Sequence, residues 1–168
     1  ISAVIIPEFD RMMETRQNNV NHIYTVGGHT IKTVGAVAGK TGENRFSPKE
    51  RCILRWTMFL HDIEKPNTVT VDKDGQHHYH GHQEKGAATA KRILKDLKFD
   101  NETLEAVVHL IKWHDYRLSL TPKGIRRAAS KIGKEYMPLL FEVKYADICG
   151  KNPEVIDHML KELEVAKR

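Results

Sequence analysis

A histidine and an aspartate stand side by side at His61 and Asp62, directly after an apolar run with helical periodicity. Adjacent side chains on a helix point about 100° apart, so this pair can present a nitrogen and an oxygen to one metal only if other elements complete the shell. His29 upstream and Asp147 downstream supply the same two ligand types. We therefore predict that His29, His61, Asp62 and Asp147 bind one divalent metal ion.

The helical patterns around these residues predict that the ligands face inward. His61 and Asp147 each share an apolar helical stripe with residues one and two turns earlier. A buried carboxylate without a partner costs on the order of several kcal/mol, so Asp147 needs a cation. A metal ion satisfies this need, and a salt bridge to Lys144 or Lys151 is the alternative.

Longer segments around these residues resemble a known family. They are FLHDIEKP (residues 59–66), YHGHQEKGA (79–87) and LLFEVKYADICGKNP (139–153). Together with the order H…HD…D, they make the chain similar to the HD-domain metal-dependent phosphohydrolases. The likeness runs from about Val20 to Pro153. It is greatest to the HD region that follows the catalytic head of bacterial CCA-adding tRNA nucleotidyltransferases and their poly(A) polymerase relatives.

The resemblance implies an activity and its cofactor. It implies hydrolysis of a phosphoester at a nucleotide or RNA end, with metal-activated water as the nucleophile and with tRNA as a further candidate partner. Mixed nitrogen and oxygen ligation suits Mn, Fe, Co, Ni or Zn better than Mg, although Mg is also compatible. The alternative is a non-catalytic HD module that supports tRNA or nucleotide binding.

Three further residues complete the expected catalytic set with Asp62. His82 occupies the histidine position of the family pattern GH-x-x-x-GA, and Lys65 that of the lysine in HD-x-G-K-P. His114 shares a helical stripe with apolar residues. We expect His82 and His114 to line the site and to bind a second metal or a substrate phosphate, with a purely structural role as the alternative. Lys65 is expected to hold a phosphate as a point charge, or to lie exposed at a helix end.

Two other features of the sequence leave alternatives open. The family pattern usually has glycine where Glu64 stands, so the local turn and the place of an added carboxylate are undecided. The basic run of one late helix favours a solvated face, with contact to a phosphate backbone as the second interpretation. That run comprises Lys123, Arg126, Arg127, Lys131 and Lys134.

Start and stop signals predict an all-α HD-domain bundle of about seven helices with one small β-hairpin. Ser47 to Glu50 form a capping box, Asp100 can cap a helix that runs through Trp113, and helices begin at Thr121-Pro122 and Asn152-Pro153. Gly133 and Gly150 stand where helices should end. Residues 68–79, with Asp74-Gly75, predict the hairpin, whose histidines 77, 78 and 80 are expected to be solvated while His82 is not.

Composition sets the remaining expectations. The 168 residues suffice for one domain, 1–168, which we interpret as a fragment of a longer protein without the nucleotidyltransferase head. Twenty-seven basic against 22 acidic residues give a net charge of +5, which is compatible with a polyanionic partner. No apolar run is long enough for a membrane span, so a cytoplasmic chain is expected. Cys52 and Cys149 are expected to be buried thiols. The oligomeric state stays open.

Overall fold

The structure is a computed structural model that describes residues 2–40, 45–119 and 121–167. Within these ranges the chain forms ten α-helices, one short 3-10 turn and one two-stranded hairpin, which confirms the all-α prediction. The elements are α1 (Ser2–Ile5), α2 (Pro7–Glu14), α3 (Val26–Lys40), α4 (Pro48–Leu60), α5 (Lys65–Thr68), β1 (Thr70–Val71), β2 (His77–His78), α6 (His82–Asp96), α7 (Asn101–Trp113), α8 (Pro122–Ile132), the 3-10 turn (Lys134–Tyr136), α9 (Met137–Cys149) and α10 (Pro153–Lys167).

The predicted helix starts are capped as the sequence indicates. The Ser47 hydroxyl accepts from the Glu50 amide at 3.2 Å, and the Glu50 carboxylate accepts from the Ser47 amide at 2.7 Å. These two bonds satisfy amides that would otherwise lack a partner at the start of α4. Asp100 and Thr121 accept from the amides at the starts of α7 and α8 in the same way. Side-chain caps therefore set the first residues of α4, α7 and α8.

Helix α4 lies at the centre of the bundle, in contact with α3, α7 and α9, and α6 packs against α7. The completely buried residues from these helices are mainly aliphatic and include Leu54, Met58, Leu60, Leu94, Leu110, Ile111 and Leu140. Burying each of these side chains contributes about 1.5–3 kcal/mol to folding. The ends of the central helices are thereby held in register with one another.

The hairpin has the predicted position and turn. Thr70 pairs with His78 and Val71 with His77 in antiparallel register. Gly75 has a φ of 77°, a conformation that glycine adopts without strain, so the Asp74-Gly75 turn forms as expected.

The structure can be compared with two expectations drawn from composition, the buried thiols and the absence of a membrane span. Cys52 and Cys149 form no disulfide, but both are only partly buried, so the expectation of buried thiols is wrong. Among the described residues, none of the helices combines the length and the apolar character that a membrane span requires.

Gly150 ends α9 for a reason other than the predicted one. Its φ of −84° is open to any residue, so no left-handed cap is formed. A Cβ atom built at Gly150 would lie 2.6 Å from Thr33 Cγ2 and 2.7 Å from His29 Nδ1. The absence of a side chain is what lets α9 approach α3 this closely.

Removing the α4 cap should destabilise the protein. We expect Ser47→Ala to lower the free energy of unfolding by about 1 kcal/mol, because the Glu50 amide loses its acceptor. Urea denaturation followed by circular dichroism measures the change. Ser130→Ala, at an exposed position inside α8, is the matched control and should leave stability within about 0.5 kcal/mol of the original. Equal effects of the two substitutions would contradict the capping role.

Filling the space at Gly150 should also destabilise the protein. We expect Gly150→Ala to cost about 1–3 kcal/mol, because the added methyl group overlaps Thr33 and the His29 ring. Gly35, exposed on α3 with no atom within 4 Å of an added Cβ, is the control. Gly35→Ala should instead stabilise the protein by about 0.5–1 kcal/mol. Thermal unfolding of both variants tests the pair, and a stabilised Gly150→Ala protein would refute the close approach.

Candidate metal centre

The candidate ligands all lie at or next to helix ends. They are found near the start of α3 (His29), directly after α4 (His61 and Asp62), at the start of α6 (His82), directly after α7 (His114) and near the end of α9 (Asp147). One terminus of each of these helices lies at the same side of the bundle. Residues up to 118 positions apart in the sequence therefore meet there.

The side chains form two groups, each able to hold a metal ion. The first triad is His29, His61 and Asp147, and the second triad is Asp62, His82 and His114. Within each triad, one ligand atom per residue lies within 4.8 Å of the others. The two imidazole Nε2 atoms are 3.3 Å apart in the first triad and 3.2 Å apart in the second. The structure thus brings together all four predicted metal ligands and both additional histidines.

Asp62 faces both triads with one carboxylate. Its Oδ2 atom lies 3.2 Å from His61 Nε2 and 3.6 Å from His29 Nε2. Its Oδ1 atom lies 3.5 Å from His82 Nε2 and 3.7 Å from His114 Nε2. The side chain is 1% exposed. The sequence predicts that Asp62 binds one metal with His29, His61 and Asp147. In the structure its carboxylate instead lies between two candidate metal positions.

All four imidazoles are oriented by the backbone. Each Nδ1 lies 2.6–3.0 Å from a carbonyl oxygen, to which Nδ1–H donates. The acceptors for His29, His61, His82 and His114 are the carbonyls of Gly150, Met58, Tyr79 and Ile111 respectively. With the proton on Nδ1, each Nε2 lone pair points into its triad. Such outer hydrogen bonds are typical of metal-binding histidines.

The spacing of these lone pairs fits a divalent metal. Two unprotonated nitrogens facing each other at 3.2–3.3 Å repel unless a cation or proton lies between them. A metal with bonds of about 2.0–2.1 Å to nitrogen holds neighbouring ligands about 2.8–3.4 Å apart in octahedral or tetrahedral geometry. The observed separations lie in that range. Two imidazoles and a carboxylate per triad form a mixed set that suits a transition metal or zinc.

The electrostatics of the first triad favour positive charge between the ligands. Burial lowers the pKa of His61, but Asp62 and Asp147 outweigh this effect and raise the pKa to about 9. Burial raises the pKa of Asp62, but His61 and Lys65 outweigh it and hold that pKa well below its usual range. Both carboxylates of the centre are therefore ionised near neutral pH, and a metal competes with a proton for the His61 nitrogen.

In the second triad, burial favours a neutral imidazole at His114 rather than a protonated one. Burial and the neighbouring His61 lower the pKa of His114 to about 3, so its imidazole is neutral. The side chains of His82 and His114 are only 6% and 4% exposed. A neutral, oriented imidazole is the form in which histidine binds a metal. This triad therefore needs no proton release at His114 before it can bind a cation.

Asp147 satisfies both interpretations offered by the sequence. Its Oδ1 atom lies 3.1 Å from His29 Nε2, and its Oδ2 atom lies 3.1 Å from Lys151 Nζ. The carboxylate thus has one oxygen in the first triad and one in a salt bridge. Lys144 instead donates to the His114 carbonyl at 2.9 Å. Burial raises the pKa of Asp147, yet Lys151 and His29 outweigh this and hold that pKa well below its usual range.

Lys65 and Glu64 occupy places that the sequence left open. Lys65 is 7% exposed, so the alternative of an exposed lysine at a helix end is wrong. Its ammonium lies 2.8 Å from Asp62 Oδ2 and donates to Gln17 Oε1 at 3.1 Å. Glu64 points elsewhere and accepts from Thr89 at 2.6 Å. Its φ of −98° does not require glycine, so the turn forms with a glutamate in place.

Asp62, His82, His114 and Asp147 line an open cleft of about 580 Å³, and the completely buried His29 and His61 are not part of its lining. The hairpin and the loop of residues 16–25 form its walls, joined where the His77 amide donates to the Asn18 carbonyl at 3.0 Å. His78 and His80 are exposed at its mouth, as expected, whereas His77 is partly buried. A molecule can reach the buried ligands through this opening.

The loop of residues 16–25 brings two residues that the sequence analysis missed. Gln17 binds Lys65, and the His22 ring lies edge-on to the His29 ring with centroids 4.9 Å apart. Burial and the charge of Lys65 lower the pKa of His22 to about 3. His22 precedes His29 by seven residues, a spacing that places two residues on one face only when both lie on the same helix, and His22 lies before α3. His109 stays outside the centre, with Nε2 donating to the Ile132 carbonyl.

Comparison with known proteins agrees with this geometry. Over 101 residues, 60% of this chain and 23% of the relative, the sequence is 33% identical to an A-adding tRNA nucleotidyltransferase of Deinococcus radiodurans. Over 74% of this chain and 27% of the relative, it is 31% identical to a CC-adding tRNA nucleotidyltransferase of Thermus thermophilus. Over 89% of this chain and 17% of the relative, it is 28% identical to a bifunctional uridylyltransferase/uridylyl-removing enzyme of a Bradyrhizobium species.

The chain therefore spans about a quarter or less of the length of these relatives. The family named HD domain matches residues 26–151, most of the chain and every candidate ligand. This match confirms the resemblance drawn from the H…HD…D order. The protein belongs to the HD domain family, whose members include metal-dependent phosphohydrolases.

Proposed function

We propose that this HD domain is a metal-dependent phosphohydrolase that acts on phosphoesters of nucleotides or RNA ends, with one divalent ion in each triad. The observation that supports it most is the convergence of four Nε2 lone pairs on the Asp62 carboxylate, with Asp62, His82, His114 and Asp147 lining an open cleft. The mixed ligand set favours Mn, Fe, Co, Ni or Zn over Mg. A bound ion of this kind lowers the pKa of coordinated water and stabilises negative charge on a phosphoryl oxygen.

The charge of the ligands supports an anionic substrate. Of the six ligands only Asp62 and Asp147 carry negative charge, and the four imidazoles are neutral when they bind metal. Two divalent ions therefore leave the loaded centre with excess positive charge. Lys65 and Lys151 add two ammonium groups at the same cleft. A phosphoester, with one or two negative charges on a compact group, complements this field.

Each protein group has a definite task in this proposal. Asp62 holds one oxygen towards each triad, so it fixes the two positions relative to each other. Lys65, with bonds to Asp62 and Gln17, keeps that carboxylate oriented and leaves its ammonium at the cleft floor, where it attracts a phosphoryl oxygen. His82 and His114 complete the second position. These residues, with Asp62, are the catalytic set expected from the sequence.

The nucleotide part of the proposal is supported by the relatives. Two of them are named for tRNA nucleotidyl transfer and one for uridylyl removal. The HD domain match over residues 26–151 includes the complete ligand set. Nucleotide or RNA-end esters are therefore the substrates to test first. A cytoplasmic location stays a prediction.

One observation favours the alternative of a non-catalytic module that supports tRNA or nucleotide binding. The Asp62 and Asp147 carboxylates each have a lysine partner, at 2.8 Å and 3.1 Å, so their charges are balanced without a metal. A proton on His61, whose pKa is raised to about 9, would then separate the facing nitrogens of the first triad. Metal binding and ester hydrolysis separate the two proposals.

Replacement of Asp62 should abolish phosphoester hydrolysis. We expect the purified protein, stripped with chelator and reloaded with Mn, Co, Ni or Zn, to hydrolyse members of a panel of 2′,3′-cyclic nucleotides, nucleoside monophosphates and bis(p-nitrophenyl) phosphate. Asp62→Asn should lower kcat by about two or more orders of magnitude, because the amide cannot hold two cations. Released phosphate or p-nitrophenol measures the rate.

Glu64→Gln is the matched control for that substitution. Glu64 is a buried carboxylate two positions away, and its oxygens accept from Thr89 and Asn67 rather than facing a triad. Its turnover should stay within about twofold of the original protein. Full activity in Asp62→Asn would refute the assigned role. A metal-loaded protein that hydrolyses none of the panel would establish the non-catalytic module.

A further inference from the structure

The exposed face of α8 carries only positive charge among its ionisable residues. The helix contains no aspartate or glutamate, and it buries Ala128 and Ile132 against the bundle. Lys123, Arg127 and Lys131 are exposed and follow one another at intervals of four residues. With a rise of 1.5 Å per residue, these cations are spaced about 6 Å apart along the helix. They form the basic face, an ordered row of charges rather than a scattered set.

The fold supplies aromatic rings that α8 itself lacks. The ammonium of Lys131 lies 5.2 Å from the centroid of the Trp113 ring and 5.3 Å from that of the Tyr116 ring. The two rings lie 5.5 Å apart at 75° to each other. Trp113 ends α7 and Tyr116 follows it, in the segment that leads to α8. The interpretation of the basic run as a plain solvated face omits these neighbours.

Arg117 connects the basic face to the candidate metal centre. It lines the cleft above the triads and a second cleft of about 620 Å³ beside α9 and α10. It also lines a third cleft of about 320 Å³, together with Lys123 and Arg127. Tyr116 lines both the second and the third cleft. Arg117 and Tyr116 therefore form a path of shared lining residues from the cleft at the triads to the basic face.

The chemistry of this path identifies the class of its partner. Among its described lining residues, the third cleft has three cations and no carboxylate. Regularly spaced cations beside an aromatic ring are the features that bind the backbone and bases of single-stranded nucleic acid. Five of the six ligands at the far end of the path are buried and the Asp147 side chain is 22% exposed, so a single strand reaches them more readily than an RNA duplex.

We propose that the basic face, Tyr116 and Arg117 bind single-stranded RNA and direct its end into the cleft above the triads. Lys123, Arg127 and Arg117 contact phosphates, and Tyr116 stacks on a base. The direction of the strand rests on the proposed phosphoester hydrolysis at the triads. The binding itself does not, so it can be measured with the centre stripped of metal. This surface would make an RNA end, rather than a free mononucleotide, the preferred substrate.

The test is fluorescence anisotropy with a labelled single-stranded RNA of about twelve nucleotides, in the presence of chelator. We expect Lys123→Ala/Arg127→Ala to raise Kd about tenfold or more at low salt. The slope of log K against log salt concentration should fall by about 1.4, since each phosphate contact on a single strand contributes about 0.7. Tyr116→Leu should raise Kd about fivefold or more without changing the slope, because stacking involves no ion release.

The matched control removes the same charge elsewhere. Arg55 and Lys95 are exposed cations on α4 and α6 that line none of the three clefts. Arg55→Ala/Lys95→Ala should change Kd by less than about twofold, with circular dichroism verifying the fold of every variant. An equal loss in this control, or an unchanged Kd in Lys123→Ala/Arg127→Ala, would overturn the proposal. So would a duplex of the same sequence or poly-glutamate binding as tightly as the single strand.

Failure of this proposal is distinguishable from failure of the proposed function. Because the chelator prevents hydrolysis, the Kd values do not depend on whether any ester is cleaved. A protein that binds the single strand through the basic face but hydrolyses nothing leaves this proposal in place and refutes the other. A protein that hydrolyses mononucleotides but binds RNA equally well without Lys123 and Arg127 does the reverse.

Discussion

The charge on one buried carboxylate, that of Asp62, is the constraint on which the rest of the centre depends. A carboxylate that is 1% exposed costs several kcal/mol as an order of magnitude unless cations or hydrogen bonds compensate it. Lys65 Nζ, 2.8 Å from Oδ2, and a cation held by the imidazoles around Asp62, either a proton on His61 or a metal ion, provide that compensation. The fold must therefore bring four imidazoles and an ammonium group to one point, and the ends of α3, α4, α6 and α7 meet there.

Helix ends provide more than position, because they also orient the imidazoles. The last carbonyls of a helix have no partner within it. His61 and His114 each follow a helix and donate Nδ1–H to the carbonyl three residues earlier, and His82 makes the same local bond at the start of α6. His29 uses the Gly150 carbonyl, which reaches it only because residue 150 has no side chain. Backbone carbonyls thus orient the four Nε2 atoms towards Asp62.

Local sequence patterns and the family resemblance predict part of this arrangement. The capped helices and the hairpin follow from capping and turn chemistry, and the set of His29, His61, Asp62 and Asp147 follows from their order and the resemblance to the HD family. The division into two triads does not, because it depends on which carboxylate oxygen faces which helix end. The burial of Lys65 and the approach of His22 depend on the path of residues 16–25, which has no periodicity to read. The Trp113 and Tyr116 rings lie beside Lys131 because the end of α7 and the residues after it contact α8. The sequence of neither helix predicts that contact.

In this proposal the Asp62 carboxylate binds two divalent ions, one in each triad. The most direct measurement is anomalous X-ray diffraction from crystals of the protein grown with Mn or Co. We predict two anomalous peaks per chain, each about 2.0–2.2 Å from both Nε2 atoms of its triad, with one Asp62 oxygen bound at each. A single peak, or two peaks of which only one touches Asp62, would contradict the account.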